Sequence, residues 1–134
     1  MKPHEFYLDI DFWDDYCLFV WPVTKESAEE WYKDKFNESE NCDDINTSTA
    51  ITFLGDNRRI IFFKEWNGSI ENIAILAHEC IHVANYILKD KKVKEDENSD
   101  EVLAYFVGYL MRHFLGAIKQ IEGVVPADGQ TVAG

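Results

Sequence analysis

Cysteine is scarce in this sequence: only Cys17, Cys42 and Cys80 occur among 134 residues. Their number is odd and no two show C-x-x-C spacing, which argues against a disulfide framework and against a cysteine-rich zinc knuckle. Cys80 lies at a position that a helix with an apolar face would turn towards the core, so packing is its predicted role. A reduced, cytoplasmic protein fits this cysteine usage best.

Long apolar runs are also missing. No stretch approaches the roughly 18 consecutive apolar residues that a membrane-spanning helix needs. The first five residues, Met1-Lys2-Pro3-His4-Glu5, lack the apolar segment of a signal peptide. The sequence therefore predicts a cytoplasmic protein without a membrane partner.

Basic residues are few: 13 lysines and arginines stand against 25 acids, a formal charge of -12. Such a surface repels phosphates, so direct binding to nucleic acid is disfavoured. It is compatible with a basic peptide partner, or with an acidic decoy that occupies a nucleic-acid-binding protein. Simple solubility is the commonest role of such a charge.

The hydrophobic content is ample, at 46% with 14% aromatic residues. A chain of this length and composition predicts one globular domain, residues 1–121, with a real core. Residues 122–134 are rich in Gly, Pro and small side chains and predict a flexible C-terminal tail. The oligomeric state does not follow from composition.

Alternating and branched apolar residues predict four strands. They are expected at residues 6–12, 16–21, 49–54 and 59–63. In the first strand Phe6, Leu8, Ile10 and Phe12 are expected on the buried side. The first two strands predict an antiparallel hairpin, and Gly55-Asp56-Asn57 predicts a turn that joins the last two.

Three helices are predicted around these strands. The first covers residues 24–36, with either Thr24 or Ser27 at its start. The second covers residues 70–88 and is capped by Ser69. The third ends near Ile121, and Asn98, Ser99 or Asp100 is expected to cap it. The fold class is therefore α+β, with antiparallel strands in a sheet packed against about three helices.

The second helix contains the sequence His78-Glu79-Cys80-Ile81-His82, an H-E-x-x-H motif. Residues four apart lie on the same helix face, so His78 and His82 can direct two imidazole nitrogens at one metal ion. Glu79 is offset from that position and suits a general base. The alternative is a buried helix that carries two partly exposed histidines and a solvated glutamate.

A catalytic zinc site usually takes three protein ligands. We expect Glu101 to be the third, because Ala104 and Gly108 follow it at i+3 and i+7 and make a small-residue stripe. If this stripe packs against the second helix, Glu101 reaches the histidines. An ordinary acid in a first helical turn is the alternative for Glu101. The other candidates after His82 are Glu95, Asp96, Glu97, Asp100 and His113.

With Glu101 nineteen residues after His82, the sequence resembles the gluzincin branch of the zincin metallopeptidases. The segment from Glu101 to Met111 is also similar to the second helix of ImmA/IrrE-type metallopeptidases. The resemblance covers about residues 59–115, and short proteins of this kind are often encoded by phages or prophages. It implies a small zincin-like domain with the H-E-x-x-H motif on its central helix and with Zn2+ as cofactor.

The resemblance also implies where a substrate would bind. In the family the strand before the metal helix lies along the cleft and pairs with extended substrate, and here that strand would comprise Arg59, Ile60, Ile61, Phe62 and Phe63. Many gluzincins have an acid four residues after the glutamate ligand, where this chain has Tyr105. Tyr105 and Tyr109 are candidates for stabilising the transition state, with core packing as their alternative role.

The predicted function is that of a zinc-dependent metallopeptidase acting on a protein or peptide substrate. Peptide-bond hydrolysis would proceed by zinc-activated water with Glu79 as general base. The alternative is an acidic protein-binding or inhibitory module on a zincin scaffold, without proteolytic activity. A structural zinc site fits less well, because such sites are usually closed and rich in cysteine.

Overall fold

The computed structural model describes residues 2–94 and 96–122. Its strands are β1 (His4–Ile10), β2 (Asp15–Trp21), β3 (Ala50–Gly55) and β4 (Arg58–Phe63). Its α-helices are α1 (Lys25–Phe36), α2 (Ile70–Asp90) and α3 (Glu97–Glu122), and short 3-10 helices cover Asp11–Trp13 and Asp43–Asn46. Residues 123–134 of the predicted tail lie outside the described residues.

The four strands form one mixed sheet in the order β1-β2-β4-β3. Both predicted hairpins are confirmed, since β1–β2 and β3–β4 are antiparallel, but β2 and β4 run parallel. The expectation of an antiparallel sheet is therefore corrected at this pair. After β2 the chain passes through α1, β3 takes the edge of the sheet, and β4 returns beside β2. Hairpin signals report only strands that are neighbours in sequence, so they do not predict this pairing.

Helices cover both faces of the sheet. Alternate residues of the central strands, such as Phe19 and Ile61, pack with α2 and α3, while Val20 and Ile60 pack with α1. Side chains of a strand alternate between faces, so a strand covered on both sides needs a continuous apolar run. This explains why residues 17–21 and 60–63, which are buried throughout, are all apolar.

The ends of the elements partly follow the predicted signals. Ser69 caps α2 as predicted, with its Oγ accepting a hydrogen bond from the Asn72 N–H at 3.1 Å. The predicted caps of α3 are wrong, because Asp96 lies before that helix and exchanges hydrogen bonds of 2.8 and 3.1 Å with Ser99. Strand β1 ends at Ile10, so Phe12 lies in a 3-10 turn and remains 56% exposed instead of being buried.

Candidate metal centre

His78 and His82 lie one turn apart on α2 and are both exposed. Their Nε2 atoms are 3.1 Å apart, while their ring centroids are 4.7 Å apart and the ring planes are inclined at 83°. The two nitrogens are closer together than the ring centres are. Both rings therefore turn their Nε2 atoms towards the same space.

This spacing suits two ligands of one cation. Two nitrogens that each lie 2.0–2.1 Å from a zinc ion at a tetrahedral angle are about 3.3 Å apart. The observed 3.1 Å is within a few tenths of an ångström of that separation. The same spacing also suits a hydrogen bond in which one ring N–H donates to the other ring nitrogen. The spacing of the two imidazoles is therefore compatible with a shared cation and also with a hydrogen bond between the rings.

Glu79 faces a different side of α2, because one helical step turns the side chain by about 100°. It is buried, with 8% of its surface exposed, although its two histidine neighbours in the motif are exposed. Its Oε1 accepts a hydrogen bond of 2.5 Å from Oγ1 of Thr52. The Thr52 hydroxyl supplies a hydrogen bond to one oxygen of a carboxylate that is shielded from water. This bond also fixes the direction of the Glu79 side chain.

Thr52 comes from the middle of β3, the edge strand that packs against α2. Ile51 and Phe53 pack with the cluster on the α1 side, whereas Ala50 and Leu54 pack with the α2 and α3 cluster. Alternation along the strand therefore directs Thr52 towards α2. The sequence prediction missed this residue. Its only signal was a hydroxyl at the central position of an otherwise apolar strand face.

Glu101 is not brought to the histidines. Within residues 2–94 and 96–122, no three His, Cys, Asp or Glu side chains form a group that could hold a metal ion. Glu101 is exposed and lines an open groove on the outside of α3 with Ala104, Tyr105 and Gly108. The predicted packing of this small-residue stripe against α2 is corrected, because α3 turns Phe106, Leu110 and Phe114 to the core instead.

The two candidate tyrosines also lie on α3. Tyr105 is 76% exposed on the outer side of that helix. The Tyr109 hydroxyl donates to the Asp9 carbonyl oxygen at 3.4 Å, and its ring contacts Phe12 and His113. Tyr109 therefore packs at the β1 side of the helix, as the alternative of a packing role predicts.

The predicted substrate strand, residues 59–63, is corrected. Strand β4 lies inside the sheet, paired with β2 on one side and with β3 on the other. An extended substrate cannot pair with a strand whose backbone is occupied on both sides. Arg59 instead lies 3.2 Å from Asp15 through its Nε and stacks on Tyr86, with its guanidinium carbon 4.8 Å from the ring centroid. The edge strand beside α2 is β3.

Cys80 packs in the core, as predicted, with no exposed surface. Burial, and then the negative charge of neighbouring Glu79, raise the pKa of the Cys80 thiol to about 12. A thiol is nucleophilic and binds metals as the thiolate. Cys80 is therefore a buried thiol with a packing role, and it is not a nucleophile near neutral pH.

Comparison of the chain with protein-family models, curated proteins and solved structures finds no match in any of the three. None of the helices in the described part of the chain is both long enough and apolar enough to cross a membrane.

Proposed function

We propose that this protein is a metal-dependent peptide hydrolase in which His78 and His82 hold a zinc ion and Glu79 is the general base. The observation that carries the proposal is the convergence of the two Nε2 atoms, 3.1 Å apart. Two imidazoles one helical turn apart and an adjacent carboxylate are the side chains that an H-E-x-x-H motif contributes to such chemistry, and a catalytic zinc site usually takes one further protein ligand.

A bound zinc ion supplies Lewis acidity, which makes water nucleophilic near neutral pH and polarises a carbonyl group. The Glu79 carboxylate takes a proton from the attacking water as the water oxygen bonds to the carbonyl carbon. Glu79 then gives the proton to the leaving nitrogen as the C–N bond breaks. One water is consumed, and the products are a carboxylic acid and an amine.

Thr52 supports this role, because its hydroxyl holds one oxygen of Glu79 and so limits the directions in which the carboxylate can take a proton. The strand that carries Thr52 is paired on one side, with β4. An extended peptide added to the outer edge of β3 would pass next to Glu79. We therefore propose β3, rather than β4, as the strand that would align a substrate.

The decisive experiment measures zinc and hydrolysis separately. Protein purified without a histidine tag is dialysed against buffered zinc, and zinc per chain is determined by elemental analysis. We expect close to one equivalent in the wild type and in Glu79→Gln, and almost none in His78→Ala. A mixture of quenched fluorescent peptides should then be cleaved by the wild type but not by Glu79→Gln. A wild type that takes up no zinc would overturn the proposal.

A second candidate is the acidic binding module, and the incomplete ligand set favours it. In the described part of the chain no third His, Cys, Asp or Glu side chain joins His78 and His82 in a group that could hold a metal ion, and the net charge is -12. In this case the wild type would bind a basic protein partner, and His78→Ala and Glu79→Gln would bind it equally well. Zinc-dependent peptide cleavage that Glu79→Gln abolishes would exclude this candidate.

A further inference from the structure

The outer side of α3 is a helix face without a partner in the described part of the chain. Its residues follow one another at helical spacing: Glu101, Ala104, Tyr105, Gly108 and Arg112. We call this set the α3 outer face. Its groove of about 410 Å³ adjoins a second apolar groove of about 360 Å³, and the two share Tyr105 and Arg112.

Two aromatic rings give this surface its apolar character. Tyr105 is 76% exposed, and its ring stacks on no other ring of the described residues. Phe12 is 56% exposed at the side of the face and packs edge-on against Tyr109, with 5.0 Å between ring centroids. Tyrosine, phenylalanine and arginine are enriched in protein interfaces; the α3 outer face presents Tyr105 and Arg112, and Phe12 lies in the adjoining groove.

Gly108 is the second unusual feature of this face. A glycine inside a helix is destabilising compared with alanine, so its presence needs a reason. Within the described residues, an added Cβ at Gly108 would contact only the flexible end of Arg112, at 3.4 Å. The packing of its own chain therefore does not require glycine there. Close approach of a second helix would require it.

The charges on this face determine which partner fits. Glu101 and Arg112 form no ion pair with the described residues of their own chain, and they lie at opposite ends of the same face. When two copies of a helix pack antiparallel with Glu101 level with the second copy's Arg112, two equivalent ion pairs form. The same register brings Tyr105 level with Gly108 of the second copy. In an antiparallel pair, two residues lie level when their residue numbers have a fixed sum, and Tyr105 with Gly108 has the same sum as Glu101 with Arg112. The Tyr105 ring of each copy then lies opposite Gly108 of the other copy, where no side chain occupies the space.

We propose that the α3 outer face is the interface of a symmetric homodimer, with antiparallel α3 helices and reciprocal Glu101–Arg112 pairs. A twofold interface uses the same patch on both subunits, so the patch must be complementary to itself. The α3 outer face meets this condition. A uniformly basic partner fits less well, because it would meet Arg112 with like charge. The net charge of -12 on each copy opposes self-association, and physiological salt screens the part of this repulsion that acts between charges more than about 8 Å apart.

The test is a charge swap followed by sedimentation. The full chain is studied in physiological salt from about 1 to 100 µM, where micromolar association is visible. The wild type should reach twice the chain mass of 15.6 kDa. Glu101→Arg and Arg112→Glu should each raise the dimer dissociation constant by about tenfold or more, since each change affects two equivalent pairs. The double variant Glu101→Arg/Arg112→Glu should restore the dimer.

Two further variants make the result specific. Lys119→Glu changes the net charge as Arg112→Glu does, but it lies beyond the proposed contact and should leave the dimer intact. Gly108→Leu should remain folded by circular dichroism and be monomeric, because the added side chain collides with Tyr105 of the second copy. A monomeric wild type overturns the proposal. So does a dimer that persists in Arg112→Glu and Gly108→Leu, or one that the charge swap fails to restore.

Discussion

The Thr52 hydroxyl donates a hydrogen bond to Oε1 of Glu79, and this bond joins the edge strand of the sheet to the helix that carries both histidines. The two residues are 27 positions apart in sequence. The bond holds the carboxylate of the motif in a buried position while the imidazoles stay exposed. It is therefore the contact on which the orientation of the proposed base depends.

Removal of the Thr52 hydroxyl should destabilise the protein. Thr52→Val keeps the branched shape but leaves a buried carboxylate oxygen without its donor, which costs about 1–3 kcal/mol. Thr52→Ser keeps a hydroxyl and is the matched control. The free energy of unfolding in urea measures both. A Thr52→Val variant that is as stable as the wild type would mean that the hydrogen bond makes no net contribution.

Glu101→Gln should leave zinc binding unchanged, because the structure has Glu101 on the outer side of α3 and in no metal-binding group with the histidines. His82→Ala, which removes one of the converging nitrogens, should lose zinc in the same assay. Competition with a chromogenic chelator gives the zinc affinity of each variant. A tenfold or greater loss of affinity in Glu101→Gln would instead support the ligand role that the sequence predicts.

Asp15→Asn should destabilise the fold at the junction of β2, β4 and α2. Asp15 lies 3.2 Å from Nε of Arg59, and their side chains are only 6% and 9% exposed. Removing one partner of a buried pair typically costs 3–5 kcal/mol. We expect about 2 kcal/mol, because Arg59 still donates to the Gly55 carbonyl and lies 3.8 Å from Asp90.

Asp90→Asn is the control for that experiment. Its side chain is 52% exposed, so the loss of its charge should change the free energy of unfolding by less than about 1 kcal/mol. Chemical denaturation of both variants provides the comparison. Equal losses would contradict the assignment of Asp15 as the main partner of Arg59.

The cysteine thiols should resist alkylation in the folded protein. Burial raises the pKa of Cys80 to about 12 and that of Cys42 to about 11, and it raises the pKa of Cys17 well above the ordinary value of 9.0. As the pH rises, the thiols of the unfolded chain ionise at a lower pH than the buried thiols of the folded protein. The folded state therefore loses stability above about pH 9. Iodoacetamide labelling followed by mass spectrometry should find little modification at pH 8.5 without urea and complete modification in urea. Rapid labelling of native Cys80 would contradict its burial.

The sequence by itself determined the local features of this protein. Alternating and branched apolar residues predicted the strands, and the succession of the first two strands predicted their hairpin. Gly55-Asp56-Asn57 predicted the second hairpin, and Ser69 marked the start of α2, because each signal depends on residues close together in the chain. The i, i+4 spacing of His78 and His82 likewise fixed their common helix face, since helix geometry requires nothing else.

Only the tertiary structure decided the rest. The parallel pairing of β2 with β4 depends on the path of the chain through α1. Because of this path β3 lies at the edge of the sheet, and β4, which was predicted to pair with substrate, lies inside it. The hydrogen bond from Thr52 to Glu79 joins segments that no short-range pattern connects. The orientation of α3 was settled by Phe106, Leu110 and Phe114, whose burial outweighs the close packing that Ala104 and Gly108 would allow, and it turned Glu101 away from the histidines.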